Sequence, residues 1–194
     1  CGAWNTISET VDAVESSPSA GSKAVVNAFK LSGFAGQSGT GVVSLNEISL
    51  EKRPRLPSGY AEFDRVLGGG IVQGSVVLIG GNPGAGKSTL LLQTICKLSA
   101  RHKVLYVTGE ESLQQVALRA GRLGLPSDQV RIAAETSIEK ICTLAVSEKP
   151  EVLVVDSIQV THVQGVESAP GSVSQVREGA AALTQFAKKS GIAV

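Results

Sequence analysis

Short apolar runs alternate along this chain with longer stretches in which apolar residues recur every three or four positions. The short runs predict buried strands at residues 75–79, 103–108, 130–133 and 152–156, and a further strand begins at residue 192. The periodic stretches predict helices at residues 89–98, 113–123, 137–146 and 173–189. This alternation predicts an α/β protein with a mostly parallel sheet and helices on both of its faces.

Two elements are predicted upstream of this series. Residues 43–48 are predicted to form a strand, which the Arg-Pro-Arg-Leu-Pro sequence at residues 53–57 interrupts. Ser58 is predicted to cap a helix that continues to Leu67 and ends at three successive glycines. Residues 7–41 are rich in Ser, Gly, Ala and Val with no sustained period, which predicts a flexible linker.

The composition is that of a soluble globular protein, since 42% of the 194 residues are hydrophobic and 18% are charged. No apolar run approaches the length of a membrane span, and the N-terminal residues lack the order of a signal peptide. We therefore expect a cytoplasmic protein without a membrane partner. The net charge of +1 confines any nucleic-acid-binding surface to a local patch.

The three cysteines do not predict a disulfide framework. Cys96 and Cys142 lie inside apolar helical patterns, where a small buried thiol is expected. Cys1 can supply one metal ligand at most, because no second Cys or His lies near it in the sequence.

Residues 81–88 fit the phosphate-binding pattern G-x-x-x-x-G-K-[ST] of nucleoside triphosphatases. A predicted strand precedes this loop and a predicted helix follows it, which is the order that the motif requires. Glycines allow the loop to curl so that backbone N–H groups point at a phosphate, and Lys87 supplies a cation for the β- and γ-phosphates. The expected ATP-binding residues are Gly81, Asn82, Pro83, Gly84, Ala85, Gly86, Lys87, Ser88 and Thr89.

Asp156 ends the predicted strand at residues 152–156, and open α/β sheets bind ligands at the carboxyl ends of their strands. There it can bind Mg²⁺ directly or through water, together with the Ser88 hydroxyl. By itself an acidic residue at a strand end is more often structural, and the phosphate loop upstream is what favours the metal role.

Glu110 and Glu111 follow the predicted strand at residues 103–108. A carboxylate at this position can polarise the water that attacks the γ-phosphate. Acidic residues also suit the N-terminus of the next helix, and both roles can hold at once. Glu110 is the predicted catalytic carboxylate because it lies one residue nearer the strand end, and Lys87 is the second predicted catalytic residue.

Four stretches together resemble the RecA-like ATPases of the bacterial RadA (Sms) family of DNA repair proteins. They are GYAEFDRVLGGG at residues 59–70, LIGGNPGAGKSTLLLQ at 78–93, YVTGEES at 106–112 and VDSIQ at 155–159. The resemblance covers residues 42–194, and it implies a RecA-like P-loop NTPase core. It also supports Glu110, because RecA-like proteins carry their catalytic glutamate after the strand that follows the phosphate loop.

The resemblance implies that the full-length protein uses ATP and Mg²⁺, binds single-stranded or branched DNA, and promotes branch migration as a homo-hexamer that works beside RecA. It places the DNA-facing loop at residues 160–172. The loop's own residues favour DNA only weakly, because His162, Gln164 and Ser168 can meet phosphates while Glu167 opposes them. A flexible Gly/Pro/Ser loop is the simpler interpretation of this stretch alone. Arg177 behind it is either a DNA or intersubunit contact or part of a solvated helix face.

Several family parts are expected to lie outside this chain. The opening CGAWNT resembles the end of the family's N-terminal four-cysteine zinc module, so residues 1–6 are interpreted as its remnant. Cys1 would then be a zinc ligand only in the full-length protein. The Lys-Asn-Arg-Phe-Gly signature and the C-terminal Lon-protease-like domain of the family are not found in this sequence, so we interpret the chain as an internal fragment.

In RecA-like sheets the strand that follows the Mg²⁺ aspartate lies between the aspartate strand and the phosphate-loop strand. Here that strand begins near Ile192 and is truncated at Val194. Its neighbours would expose unpaired backbone groups and apolar edges. We therefore expect this chain alone to be marginally folded and to hydrolyse ATP poorly.

Two other functions share the phosphate loop. A RecA-like signalling ATPase of the circadian-clock type would act on protein partners and not on DNA. A small-molecule kinase would need an acceptor pocket and a lid, often with arginines after the Mg²⁺ strand, and residues 157–172 contain none. DNA-dependent ATP hydrolysis is the leading hypothesis.

Overall fold

The computed structural model describes residues 55–194 together with Ser44 and Asn46. Its strands are β1 (Val104–Thr108), β2 (Arg131–Ala134) and β3 (Val152–Asp156), and a 3-10 helix spans Ile158–Val160. Its helices are α1 (Ala61–Val66), α2 (Lys87–Leu98), α3 (Leu113–Arg122), α4 (Ile138–Glu148) and α5 (Val173–Ser190). The predicted remnant at residues 1–6 and the linker at residues 7–41 lie outside the described residues, as does most of the predicted strand at residues 43–48. In that last segment Asn46 is in a 3-10 turn and not in a strand.

The three strands form a parallel sheet in the order β2-β1-β3, which confirms the predicted α/β class. Thr108 at the end of β1 pairs with Ala134 of β2 and with Asp156 of β3. Because the strands are parallel and end in register, their carboxyl ends lie along one edge of the sheet.

Helices cover both faces of this sheet, as predicted. Alternate residues of β1 point to opposite faces, so Val104 and Tyr106 join one buried cluster while Leu105 and Val107 join the other. The first cluster includes Leu92 and Ile95 of α2 with Val116 of α3, and the second includes Ile141 of α4 with Leu183 and Phe186 of α5. Two separate cores of this kind identify a three-layer α/β arrangement.

Serines position the starts of three helices. The hydroxyls of Ser112, Ser137 and Ser172 accept hydrogen bonds from backbone N–H groups in the first turns of α3, α4 and α5. The predicted cap at Ser58 is wrong: α1 begins at Ala61, and its N-cap, Tyr60, makes no side-chain cap bond. Gly59 has a φ of +82° and turns the chain before the helix, so Ser58 instead lies fully buried and its N–H donates to Asp64 Oδ1 at 2.8 Å.

The predicted strand at residues 75–79 is only partly paired. Val194 N–H donates to Ser75 O at 2.9 Å and Val77 N–H donates to Val194 O at 2.8 Å. On its other side Ala193 pairs with Val152 of β3, so the segment at residues 192–194 lies between β3 and the segment before the phosphate loop, as expected. Past Val77 no described backbone pairs with this segment, and Leu78, predicted to be buried, is 80% exposed.

A cavity of about 560 Å³ continues from this point between residues 76–79 and β3. Its walls are mostly apolar, and it reaches Lys87 and Ser157 at the carboxyl edge of the sheet. In the part of the chain that the structure describes, no helix is both long and apolar enough to cross a membrane.

Candidate nucleotide-binding site

The phosphate-loop residues form an exposed turn that leads directly into α2. Gly84 and Gly86 have φ values of +79° and +85°, which only glycine adopts without strain. Gly86 is the N-cap of α2, and it offers no side-chain oxygen to the first-turn N–H groups. No acidic residue lies in that turn either. The helix N-terminus therefore presents unpaired donors and a partial positive charge, which fits a bound phosphate.

Lys87 is the first residue of α2, and its side chain folds back over the loop. Its ammonium donates to the carbonyls of Gly81 at 2.8 Å and Asn82 at 2.9 Å. These contacts hold the cation on the loop that would receive the phosphates. The loop residues 81–86 are exposed, so a ligand can reach them.

Ser88 and Asp156 meet directly although they are 68 residues apart in sequence. The Ser88 hydroxyl donates to Asp156 Oδ1 at 3.0 Å, and Asp156 is only 8% exposed. No group of three His, Cys, Asp or Glu side chains that could hold a metal was found among the described residues. A cation at this pair would therefore complete its shell with phosphate oxygens and water, which is the preference of Mg²⁺.

The two predicted glutamates have different surroundings. Glu110 is exposed, and its Oε1 accepts a hydrogen bond from Ser157, the residue joined to Asp156 by a cis peptide bond. Glu111 Oε1 accepts from Arg119 Nη1 at 3.0 Å, and its backbone N–H donates to the Thr108 hydroxyl. Glu110 is thus linked to the residue that follows β3, whereas Glu111 is linked to α3.

Three residues of this site were missed in the sequence. Tyr106 donates a hydrogen bond to Asp156 Oδ2, Arg119 lies behind Tyr106, and Ser157 contacts Glu110. The sequence does carry a signal for Tyr106: a tyrosine inside an apolar strand is expected to be buried, and a buried hydroxyl requires a hydrogen-bond partner. Burial raises the pKa of Tyr106, and the Asp156 hydrogen bond and charge raise it further, so the hydroxyl remains a donor at neutral pH.

The loop at residues 160–172 is anchored, contrary to the flexible loop expected from its composition. His162 pairs with the start of α4, where its N–H donates to Thr136 O and its carbonyl accepts from Ile138 N–H. The buried Gln175 side chain accepts from Val163 N–H at 2.8 Å, and its amide donates to the carbonyls of residues 166 and 168. The composition of the loop could not predict this, because the groups that anchor it lie outside it, at the start of α4 and on Gln175 of α5.

The remaining side chains predicted to contact DNA are scattered over this region. Gln164 is exposed and its N–H donates to the buried Glu139 carboxylate at 3.0 Å, while the Ser168 hydroxyl accepts from Ser172. Glu167 is exposed. Arg177 is 77% exposed and pairs with Glu178 at 3.3 Å, which agrees with the solvated helix face.

Cys96 and Cys142 are buried free thiols, as predicted. Burial raises the pKa of both, and with the nearby Glu139 charge that of Cys142 reaches about 12. Cys1, the expected zinc ligand of the full-length protein, lies outside the described residues.

Comparison with known proteins identifies relatives over the whole chain. The chain is 59% identical over 195 residues to the DNA repair protein RadA of Escherichia coli K12, and 45% identical over 195 residues to that of Bacillus subtilis 168. All of this chain is covered in both cases, but it spans only 41% of the length of each relative. Residues 56–149 also match the model of the KaiC ATPase family. Over its whole length the chain is therefore similar to part of the RadA proteins, and its parallel sheet with helices on both faces is that of a RecA-like ATPase domain.

Proposed function

We propose that the complete protein is a Mg²⁺-dependent ATPase of DNA repair. The hydrogen bond between Ser88 and Asp156 is the observation that carries this proposal, because it brings the phosphate loop and the end of β3 to one point at the carboxyl edge of the sheet. An uncapped helix N-terminus and a lysine cation lie at the same point.

Each site residue has a role that follows from its place. Residues 81–89 would hold the triphosphate through backbone N–H groups, with Lys87 opposite the β- and γ-phosphates. Ser88 and Asp156 would hold Mg²⁺, which neutralises charge on the phosphates when it is bound. These assignments explain why the loop glycines, the lysine and the buried carboxylate converge.

Glu110 is proposed as the residue that orients and polarises the attacking water. It is exposed at the end of β1, and its contact with Ser157 keeps it beside Asp156. Glu111 is the weaker candidate because Arg119 already engages its carboxylate. A general base typically contributes about 10²–10⁴ in rate.

DNA is the proposed macromolecular partner, because curated relatives of this chain are named DNA repair proteins. The loop at residues 160–172 is the proposed contact: it follows β3 and the 3-10 helix, so nucleotide-dependent movement of Asp156 would reach it directly. Branch migration of recombination intermediates, a homo-hexamer, cooperation with RecA, a zinc module and a cytoplasmic location are proposed for the complete protein on the family resemblance.

The first experiment measures ATP hydrolysis by the complete gene product and by its Glu110→Gln variant. The variant should lose at least about 100-fold in rate and still bind ATP, since the glutamate acts on water and not on the phosphates. Glu178→Gln is the matched control, because that carboxylate pairs with Arg177 on α5. Wild-type protein without ATP hydrolysis would refute the proposed activity, and a Glu110→Gln protein with a near-normal rate would refute only the role of Glu110.

The second experiment separates DNA from protein partners. The match to the KaiC family model keeps open a signalling ATPase that acts on protein partners. Single-stranded DNA should stimulate ATP hydrolysis by the complete protein if DNA is the partner. An ATPase that responds to no DNA at low salt, where phosphate contacts are strongest, would favour the signalling function.

A further inference from the structure

Both oxygens of the Asp156 carboxylate have a protein donor. Ser88 Oγ donates to Oδ1 at 3.0 Å, and the Tyr106 hydroxyl donates to Oδ2. Tyr106 is fully buried in β1, one strand away from Asp156. One donor on each oxygen fixes the rotation of the carboxylate, and Tyr106 supplies the donor that does not belong to the phosphate loop.

Arg119 continues this chain of hydrogen bonds from α3. Its Nη2 donates to the Tyr106 hydroxyl at 3.4 Å, and its Nη1 donates to Glu111 Oε1 at 3.0 Å. The Arg119 side chain is 13% exposed. A donor onto the tyrosine oxygen strengthens the bond that the same hydroxyl gives to Asp156, because linked hydrogen bonds polarise one another.

We propose that Tyr106 and Arg119 are positioning residues for the Mg²⁺–nucleotide site. Together they fix the orientation of the Asp156 carboxylate and connect it to the segment that carries Glu110. The inference rests on the proposed function, in which Asp156 and Ser88 hold the metal. Partners that orient a metal-binding carboxylate commonly change metal affinity by about 10- to 100-fold when they are removed.

A purely structural role gives a different expectation. If the Tyr106 hydroxyl only satisfied a buried carboxylate, its removal would lower the stability of the fold and leave the Mg²⁺ requirement unchanged. If it positions Asp156 for the metal, its removal raises the Mg²⁺ concentration that nucleotide binding requires. The two roles are therefore separated by a titration of Mg²⁺.

The experiment measures binding of a non-hydrolysable fluorescent ATP analogue to the complete gene product at increasing Mg²⁺ concentrations. We expect Tyr106→Phe to raise the Mg²⁺ concentration at half-maximal binding roughly 10-fold. Binding of the analogue in EDTA should not change, because the phosphate loop is intact. Tyr60→Phe is the matched control. Lys97 Nζ lies 3.5 Å from the centroid of the Tyr60 ring, and a phenylalanine ring keeps that contact.

Arg119→Lys provides a second variant in case Tyr106→Phe does not fold. Lysine lacks the fork that reaches both Tyr106 and Glu111, so the Mg²⁺ requirement should rise in the same direction by a smaller factor. An unchanged Mg²⁺ requirement in the folded variants, with normal binding by the wild type, would overturn this inference and leave the proposed function standing. A wild-type protein that bound no nucleotide at any Mg²⁺ concentration would overturn both.

Discussion

Replacement of Gln175 by leucine should release the loop at residues 160–172 from its anchor. Gln175 is 3% exposed, and its side chain makes three hydrogen bonds to that loop. Leucine has a similar size but removes all three. The backbone N–H of Val163, a residue that is 8% exposed, would then be buried without a partner.

The expected loss of stability follows from these contacts. A buried N–H without a partner costs about 1–3 kcal/mol, and each of the two lost bonds to the carbonyls of residues 166 and 168 adds about 0.5–1.5 kcal/mol. The sum is about 2–6 kcal/mol, which corresponds to roughly 30- to 25,000-fold faster amide exchange wherever that opening controls exchange. For a domain of this size the unfolding midpoint should fall by about 4–24 °C.

Hydrogen–deuterium exchange of the complete gene product measures this effect locally. Amides of residues 163–168 should lose protection in Gln175→Leu, while those of β1 should change little. Gln185→Leu is the matched control, because Gln185 lies on the same helix, is half-buried and has no side-chain hydrogen bond within the described region. Unchanged protection of the Val163 amide in Gln175→Leu would show that the anchor does not hold the loop. DNA-stimulated ATP hydrolysis by the same variant then tests whether an ordered loop is needed for DNA.

Three further predictions follow from close packing and burial. Gly109→Ala should destabilise the fold by about 1–3 kcal/mol, because a Cβ there would lie 2.6 Å from Val160 Cγ2, and thermal unfolding should show that Val160→Ala rescues it. Gly86→Ala should weaken ATP binding, measured by titration, because a φ of +85° strains a residue with a Cβ by about 1–2 kcal/mol. Burial raises the pKa of Cys142 to about 12, so a thiol reagent at pH 8 should modify it about a thousandfold more slowly than it modifies an exposed cysteine. Mass spectrometry measures this rate, and denaturant should remove the difference. The raised pKa also makes the free energy of unfolding depend on pH. The contribution of the Cys142 thiol is complete below about pH 8.5, the pKa of an unfolded thiol, and it is lost as the pH rises toward 12, because the unfolded thiol then releases its proton first.

The predictions that failed were those that depended on a neighbour elsewhere in the fold. The apolar run at residues 75–79 predicted a buried strand, but burial of Leu78 requires a partner on the sheet edge, and the described residues supply one only as far as Val77. Ser58 had the right chemistry for a helix cap, yet Gly59 turns the chain before α1 begins. The loop at residues 160–172 has a flexible composition and is nevertheless held by Gln175, whose partners no local pattern reveals.

The fold class, the phosphate loop and the acidic residues at the strand ends could all be predicted from the sequence. The curvature of the phosphate loop requires glycines at fixed spacing. Strands and helices repeat with different periods, so a short stretch of sequence is enough to predict each of them. Which side chains meet depends instead on how the elements pack against one another. The parallel register of β1 and β3 brings Tyr106 to Asp156 across 50 residues of sequence, and the packing of α2 on the sheet brings Ser88 to Asp156 across 68. Contacts with Ser157 and with Arg119 give Glu110 and Glu111 different surroundings. Contacts of this kind depend on strand order and on which groups are buried, and both are properties of the folded chain.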